Sequence, residues 1–230
     1  MKNLLLVYFV VTLSLSGFAQ SETLDYHLKK GQAFDILLLT LKPNTKDKVK
    51  KYFQDYYPIA KKFGYHPLKG FPIKESPTQG NYQPQSMILG YWDNLDLRKK
   101  FLAHIDAKKP IFHQDRRDIW SNFDATYYEM KQDKSFQVHR KKYNVVTSYW
   151  QKNKKGFHRF KKNWREKVIQ AGGKIILELS DGASPFGYHY NPDYLSITEW
   201  ENKAAFEKFY QKNLKMDHSA VQQVNQFKIL

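Results

Sequence analysis

The chain has 230 residues, no cysteine, and 38 Lys and Arg against 22 Asp and Glu, which gives a formal net charge of +16. The lack of cysteine excludes disulfides and a lipid anchor on a cysteine, so the core must come from apolar burial. Aromatic residues make up 16% of the chain and supply much of the surface for that burial.

Residues 1–19 have the pattern of a signal peptide. Lys2 supplies the positive start, 4–15 the apolar stretch, and 17–19 a small-x-small cleavage pattern, so the mature chain is predicted to begin at Gln20. The apolar stretch is shorter than the ~20 residues of a transmembrane helix, and no second long apolar run follows. We therefore expect an exported protein, periplasmic or secreted, with a retained N-terminal anchor as the alternative.

The body of the chain repeats itself. The stretch 84–94 aligns without gaps on 192–202, at an offset of 108 residues, with a proline, a tryptophan and an asparagine in register. Two further pairs share this offset: Gly64 with Gly172, and Phe101 with Phe209. Several matches at one offset indicate a tandem duplication.

Both copies show the same order of predicted elements. Copy one has strands at 34–41, 65–73, 84–92 and 125–130, with helices at 49–63 and after Asn94. Copy two has strands at 143–151, 174–180, 192–200 and 226–230, with helices at 157–171 and after Asn202. Each copy is therefore predicted to be a ferredoxin-like βαββαβ unit of an α+β protein. Pro58 lies inside the first helix, where it should cause a kink.

The predicted domain organisation follows from this order. The first unit spans 32–131, a linker spans 132–142, and the second unit spans 143–230. The linker is charged and nearly free of aliphatic residues, which is typical of a surface segment.

A family resemblance lies in the repeated stretch. The sequence Leu-Ser-Ile-Thr-Glu-Trp-Glu-Asn-Lys-Ala-Ala-Phe at 195–206, followed by Phe209 and Tyr210, resembles the strand-to-helix signature of the dimeric α+β barrel superfamily. That superfamily includes antibiotic-biosynthesis-monooxygenase-type domains, families of unknown function and haem-handling enzymes. Copy one departs from the signature, since Tyr91 stands where copy two has Glu199. The resemblance implies two sheets paired in a pseudo-symmetric barrel, built by one chain as an internal pseudo-dimer or by a homodimer.

Strand alternation divides the third strand of each copy into two faces. We assign Met87, Leu89, Leu195 and Ile197 to the helix side, and alternation places Glu199 with them. Trp92 and Trp200 would then face the partner sheet, where they either fill the core or line a cavity for a small apolar or aromatic molecule.

The candidate ligand-binding residues are Trp92, Trp200, Glu199, His189, Tyr190 and His66. Glu199 is a base if it lies beside a ligand, or a partner of a nearby lysine. His66 and His189 are haem ligands or surface residues, and the aromatic loop 185–192 either rims a pocket or covers the barrel end. No metal-type spacing and no catalytic motif is present, so we predict no metal site and assign no catalytic residue.

Three functions fit these features. The first is an exported small-ligand-binding protein of the α+β barrel type, without a cofactor and without an assignable reaction. The second is a cofactor-independent monooxygenase or a haem-binding enzyme, which the resemblance implies. The third is a basic module that binds anionic polymers of the cell envelope, since export removes most nucleic acid from reach.

Overall fold

The computed structural model describes residues 22–230, and the predicted signal peptide at 1–19 lies outside the described residues. The described part of the chain contains ten β-strands and five α-helices. The strands are β1 (Thr23–Leu28), β2 (Ala33–Leu41), β3 (Tyr65–Pro72), β4 (Ser86–Trp92), β5 (Trp120–Glu129), β6 (Lys134–His139), β7 (Tyr143–Gln151), β8 (Lys174–Ser180), β9 (Tyr194–Trp200) and β10 (Val221–Ile229). The helices are α1 (Lys46–Lys62), α2 (Leu95–Lys108), α3 (Phe112–Ile119), α4 (Lys154–Gln170) and α5 (Lys203–Asn213).

Two four-stranded antiparallel sheets share one topology. Their strand orders are β3-β4-β2-β5 and β8-β9-β7-β10. In each sheet the third strand of the unit lies between the first and the second, and the fourth flanks the first, which is the ferredoxin-like arrangement. The prediction of two tandem βαββαβ units in an α+β fold is confirmed.

Equivalent residues begin and end the helices of both units. Gly64 and Gly172 follow α1 and α4 with φ angles of +79° and +85°. Glycine adopts this left-handed conformation without the steric cost of a Cβ atom. The side-chain oxygens of Asn94 and Asn202 accept hydrogen bonds from the backbone N–H three residues later, at 2.8 and 3.0 Å. These caps satisfy backbone groups that α2 and α5 would otherwise leave free.

The two sheets pack face to face, and side chains fill the barrel between them. Gln79, between β3 and β4, forms a bridge to Gln226 in β10, and Tyr127 in β5 forms one to Ala183 after β8. These reciprocal bridges relate the units as a pseudo-dimer. The interior contains buried residues of both sheets: Ile36, Leu38, Met87, Leu89, Val146, Leu177, Leu179, Leu195, Ile197 and Phe227.

The prediction of which strand face meets the helices is wrong. Trp92 packs on Phe101 of α2 with ring centroids 4.8 Å apart, and Trp200 packs on Phe209 of α5 at 4.9 Å. The residues assigned to the helix side instead fill the barrel: Met87, Leu89, Leu195 and Ile197. The alternation itself is correct, but both faces of each sheet are buried and apolar. Alternation alone therefore does not identify the helix side.

The segment 132–142, predicted to be a surface linker, is largely a strand. Its strand β6 pairs antiparallel with β1, placing Phe136 opposite Tyr26, and the two rings stack with centroids 4.6 Å apart. Phe136 and Val138 are buried in the barrel core. Two apolar residues at alternate positions are enough to bury one face of a short strand between charged neighbours. The pair of strands β1 and β6 is called the ribbon below.

Pro58 lies within α1, which continues as one helix to Lys62. The hydrogen bond that proline cannot donate would reach the carbonyl of Gln54, and both residues are exposed, so solvent can bond that carbonyl. Within residues 22–230 no helix is long and apolar enough to span a bilayer.

Candidate functional site

The two predicted tryptophans are part of the core beneath the helices. Trp92 is 4% exposed and Trp200 1% exposed. The indole N–H of Trp92 donates to Oδ2 of Asp35 at 2.9 Å, and that of Trp200 donates to Oγ1 of Thr198 at 3.0 Å. Both indoles therefore have their polar atom satisfied inside the protein, as buried tryptophans usually do.

Glu199 lies at the end of β9 on the barrel side of the sheet, so its expected place on the helix side is also wrong. The residue is 8% exposed. Its carboxylate accepts a hydrogen bond from the backbone N–H of His139 at 3.2 Å, and Nδ1 of the same residue lies 2.7 Å away. Glu199 thus fastens the end of the ribbon to the second sheet through one carboxylate oxygen, Oε2.

The aromatic loop 185–192 packs onto the first unit. Tyr190 is buried, its backbone N–H donates to Asp124 at 3.1 Å, and its hydroxyl donates to Asn225 at 3.0 Å. Burial raises the pKa of Tyr190 above its usual range. His189, the preceding residue, is exposed. At Tyr190 the loop therefore acts as a cover over the junction of the two units.

His66 lies on the surface of the first unit. Its Nε2 is 2.9 Å from Oδ1 of Asp93, and its ring stacks on Tyr91 with centroids 4.7 Å apart. His66 and Asp93 are both exposed. The six predicted residues therefore do not come together in one site.

A groove between α4 and α5 of the second unit is a concave surface with a distinct chemistry. Its cavity measures about 470 Å³. Trp164 of α4 and Phe209 of α5, with ring centroids 6.3 Å apart, hold the two helices together beneath it. The lining residues are Asn163, Lys167, Gln170, Ala171, Phe209, Lys212, Lys215 and Met216. This surface is called the α4–α5 groove below.

The groove combines positive charge with an apolar floor. Lys167, Lys212 and Lys215 are exposed, and none of them forms an ion pair with another residue in 22–230. Helix α4 carries seven Lys and Arg and one acidic residue, Glu166. Such an excess of positive charge attracts anions by long-range electrostatics.

Two buried polar atoms on the same helices have no hydrogen-bond partner among the described residues. They are Nε1 of Trp164 in α4 and Oδ1 of Asn213 in α5. Trp164 is 1% exposed and Asn213 0%. Residues 22–230 contain eight further buried polar atoms without a partner, so these two do not by themselves mark a ligand site.

No protein-family model and no curated protein matches the chain. Solved structures do match over most of its length. An anthrone oxidase-like protein aligns at 14% identity over 89% of this chain and 94% of its own, with a TM-score of 0.49. A proposed monooxygenase from Lactobacillus acidophilus NCFM aligns at 12% identity over 87% and 94%, with a TM-score of 0.40.

Chlorite dismutase from Candidatus Nitrospira defluvii, in complex with imidazole, aligns at 7% identity over 88% of this chain and 92% of its own, with a TM-score of 0.48. The strand order of the two sheets shows a ferredoxin-like α+β barrel fold, and the activities named for these proteins stay with them.

The groove chemistry belongs to the second unit alone. At the positions 108 residues before Lys167, Lys212 and Lys215, the first unit has Ile59, His104 and Ala107. The two unbonded polar residues, Trp164 and Asn213, correspond to Tyr56 and Ile105. Both units have equivalent helices, but within residues 22–230 only the second has this set of cations and buried polar atoms.

The two predicted haem ligands, His66 and His189, do not come together in a haem site. His66 and His189, the predicted ligands, are exposed and lie on different units, and side chains fill the barrel interior. Between the second sheet and its helices the space is occupied by aromatic rings, including Trp164, Trp200 and Phe209. Residues 22–230 also contain no group of three or more His, Cys, Asp or Glu that could hold a metal ion.

In the sequence of the second unit alone, nothing separates Lys167, Lys212 and Lys215 from the many other lysines of the chain. The signal that would have separated them is the comparison of the two copies at the shared offset, position by position. A lysine that replaces isoleucine or alanine in a duplicated helix marks a face that has changed its environment.

Proposed function

We propose that the protein is an exported binding protein of the α+β barrel type, and that its ligand is a small amphipathic anion held in the α4–α5 groove. The observation that carries this proposal is the meeting of three unpaired lysines with the apolar side chains of Phe209 and Met216 in one concave surface. Ammonium groups bind carboxylate or phosphate oxygens, while an apolar floor favours a hydrocarbon chain or ring.

The proposal places the ligand outside the barrel, whereas the sequence analysis considered a cavity between the sheets as one of two alternatives. The interior is filled with buried aliphatic side chains, so a ligand there would have to displace core packing. The groove requires no such displacement.

The binding test uses dodecanoate below its micellar concentration and isothermal titration calorimetry. The triple variant Lys167→Gln, Lys212→Gln, Lys215→Gln should bind at least tenfold more weakly, because each charge-assisted bond contributes about 1.5–3 kcal/mol. Dodecanol should bind far more weakly than dodecanoate, since it lacks the charge.

A matched control removes three exposed lysines of the first unit: Lys48→Gln, Lys61→Gln and Lys62→Gln. It lowers the net charge by the same amount but should leave dodecanoate binding unchanged. If both triple variants weaken binding equally, the effect is one of overall charge and the groove proposal is wrong. Heparin retention that falls equally in both, with no dodecanoate binding by the wild type, would support the polyanion alternative instead.

Export and the haem alternative have their own tests. N-terminal sequencing of protein recovered outside the cytoplasm should begin at Gln20 if the segment 1–19 is a cleaved signal peptide. Titration with haemin tests the haem alternative: a Soret band that is lost on His189→Ala or His66→Ala would favour it, and a titration without a band shift would count against it.

A further inference from the structure

A second positively charged side chain with an unusual environment lies at the junction of the two units, well apart in sequence from the groove. Arg116 is in the last turn of α3, and its guanidinium carbon lies 3.9 Å from the ring centre of Phe112 and 4.1 Å from that of Phe123. Two aromatic faces therefore hold the guanidinium in one plane. Such stacking orders an otherwise flexible side chain.

Two phenols from different units accept hydrogen bonds from this guanidinium. Nε donates to the hydroxyl of Tyr52 in α1 at 2.8 Å, and Nη1 donates to the hydroxyl of Tyr188 at 2.8 Å. Tyr188 belongs to the aromatic loop of the second unit. Each phenol uses its oxygen as an acceptor here, so its own O–H stays available to donate to a further acceptor.

The charge of Arg116 has no carboxylate partner within ion-pair distance among the described residues. The neighbouring Asp115 accepts a hydrogen bond from Tyr56 at 2.5 Å instead. Arg98 shows the usual arrangement for a buried arginine: its Nε lies 2.7 Å from Asp35. Arg116 is half-buried, and a cation withdrawn from water without a counter-ion is costly.

We infer that Arg116, Tyr52 and Tyr188 form a binding site for a small aromatic carboxylate. The second terminal nitrogen of the guanidinium, Nη2, has no hydrogen-bond partner in residues 22–230 and is free to bond a carboxylate oxygen. The two phenol hydroxyls donate to the same anionic group. The result is a cluster of donors around a fixed positive charge, which is what a carboxylate requires.

The surroundings favour a ligand with an aromatic ring. Phe186 is 45% exposed at the tip of the same loop, with a φ of +57° that is unusual for a residue with a side chain. Its ring centre is 4.6 Å from that of His113 and 6.4 Å from that of Tyr188. The part of the Phe186 ring that His113 and Tyr188 leave exposed offers a surface on which an aromatic ring of a ligand can pack.

The test titrates the full mature chain with benzoate, followed by NMR shifts and by calorimetry. Benzyl alcohol serves as the uncharged ring of similar shape. We expect saturable benzoate binding, weakened about tenfold or more by Tyr188→Phe and by Arg116→Lys, because each removes a charge-assisted donor or the planar guanidinium. Arg117→Lys is the matched control, since Arg117 is the exposed neighbour whose bond is to Gln114, and it should leave binding unchanged.

Thermal melting of each variant shows whether it is folded, so that a loss of binding is not confused with unfolding. No saturable benzoate binding by the wild type would overturn the inference, as would equal binding by Tyr188→Phe and the wild type. The triple lysine variant of the α4–α5 groove should bind benzoate normally. The benzoate titration therefore tests the Arg116 site, and the dodecanoate titration tests the proposed function of the α4–α5 groove separately.

Discussion

The equivalent tryptophans of the two units have different neighbours: a buried ion pair in the first unit and two apolar side chains in the second. Beneath the helices of the first unit, Trp92 bonds to Asp35, whose other oxygen lies 2.7 Å from Arg98. Asp35 and Arg98 are 5% and 3% exposed, so this is a buried ion pair. The guanidinium of Arg98 also lies 4.0 Å from the ring centre of Tyr127.

The second unit has an apolar pair in the same place. Val145 lies opposite Thr198 in the second sheet, and Asp35 lies opposite the equivalent residue, Gly90, in the first. Phe206 follows Trp200 at the same spacing in the sequence as Arg98 follows Trp92. Val145 and Phe206 are both 1% exposed. One backbone therefore accommodates either an ion pair or two apolar side chains, which shows that the ion pair is not a requirement of the fold.

The largest expected effect comes from breaking the ion pair. Asp35→Val should lower the free energy of unfolding by about 3–5 kcal/mol, because it leaves the Arg98 guanidinium buried without a counter-ion. Urea denaturation followed by tryptophan fluorescence measures this.

The double variant Asp35→Val, Arg98→Phe installs the apolar pair of the second unit in the first. Its free energy of unfolding should return to within about 1–2 kcal/mol of the wild type, since apolar replacement of buried ion pairs is often neutral. If the double variant is as unstable as the single one, the two units are not interchangeable at this position.

A second exchange between the units concerns the glycine that makes room for an aromatic ring in each of them. In the first unit a side chain at Gly90 would overlap the ring of Tyr65, and in the second a side chain at Gly173 would overlap Trp200. Gly90→Thr, which introduces the residue of the second unit, should cost about 1–3 kcal/mol of stability through overpacking. Adding Tyr65→Gly should cost less than the sum of the single changes, and a double-mutant cycle in urea measures this coupling.

The smallest effect should be the same in both units. Asn94→Ala and Asn202→Ala each remove one helix cap and should each cost about 1 kcal/mol. Thermal or urea denaturation of the two variants gives the comparison, with Asn→Ser at each position as the control that retains a cap. Unequal costs would mean that one of the two helices contributes less to the stability of the whole.

The fold could be predicted from the sequence because its signals are local and occur twice. Gly64 and Gly172 end helices, Asn94 and Asn202 begin them, and each acts through bonds within a few residues. The side of the sheet that meets the helices could not be predicted, since both faces are apolar. The ribbon escaped prediction because β1 and β6 pair across more than one hundred residues, and β6 offers only Phe136 and Val138 as apolar residues.

The candidate sites were harder to predict because they depend on distant partners. Tyr188 was part of a loop that the sequence marked as aromatic, but its bond to Arg116 spans 72 residues. In the sequence, nothing distinguishes Arg116 from the other basic residues. That no carboxylate of the described residues lies within ion-pair distance of it depends on the fold. Local pattern identifies which residues are unusual, while only the packing decides which of them meet.

The ribbon has a consequence for how the chain is assembled. Because β1 enters the first unit beside the place where β6 leaves it, the first unit is a closed loop whose two ends are tied together at its base. During synthesis β1 must wait until the whole first unit has emerged before its pairing strand exists, so the ribbon forms late. The same closure means that a cut in a surface loop of the first unit would leave β1 on one piece and β6 on the other, with their pairing to help hold the two pieces together.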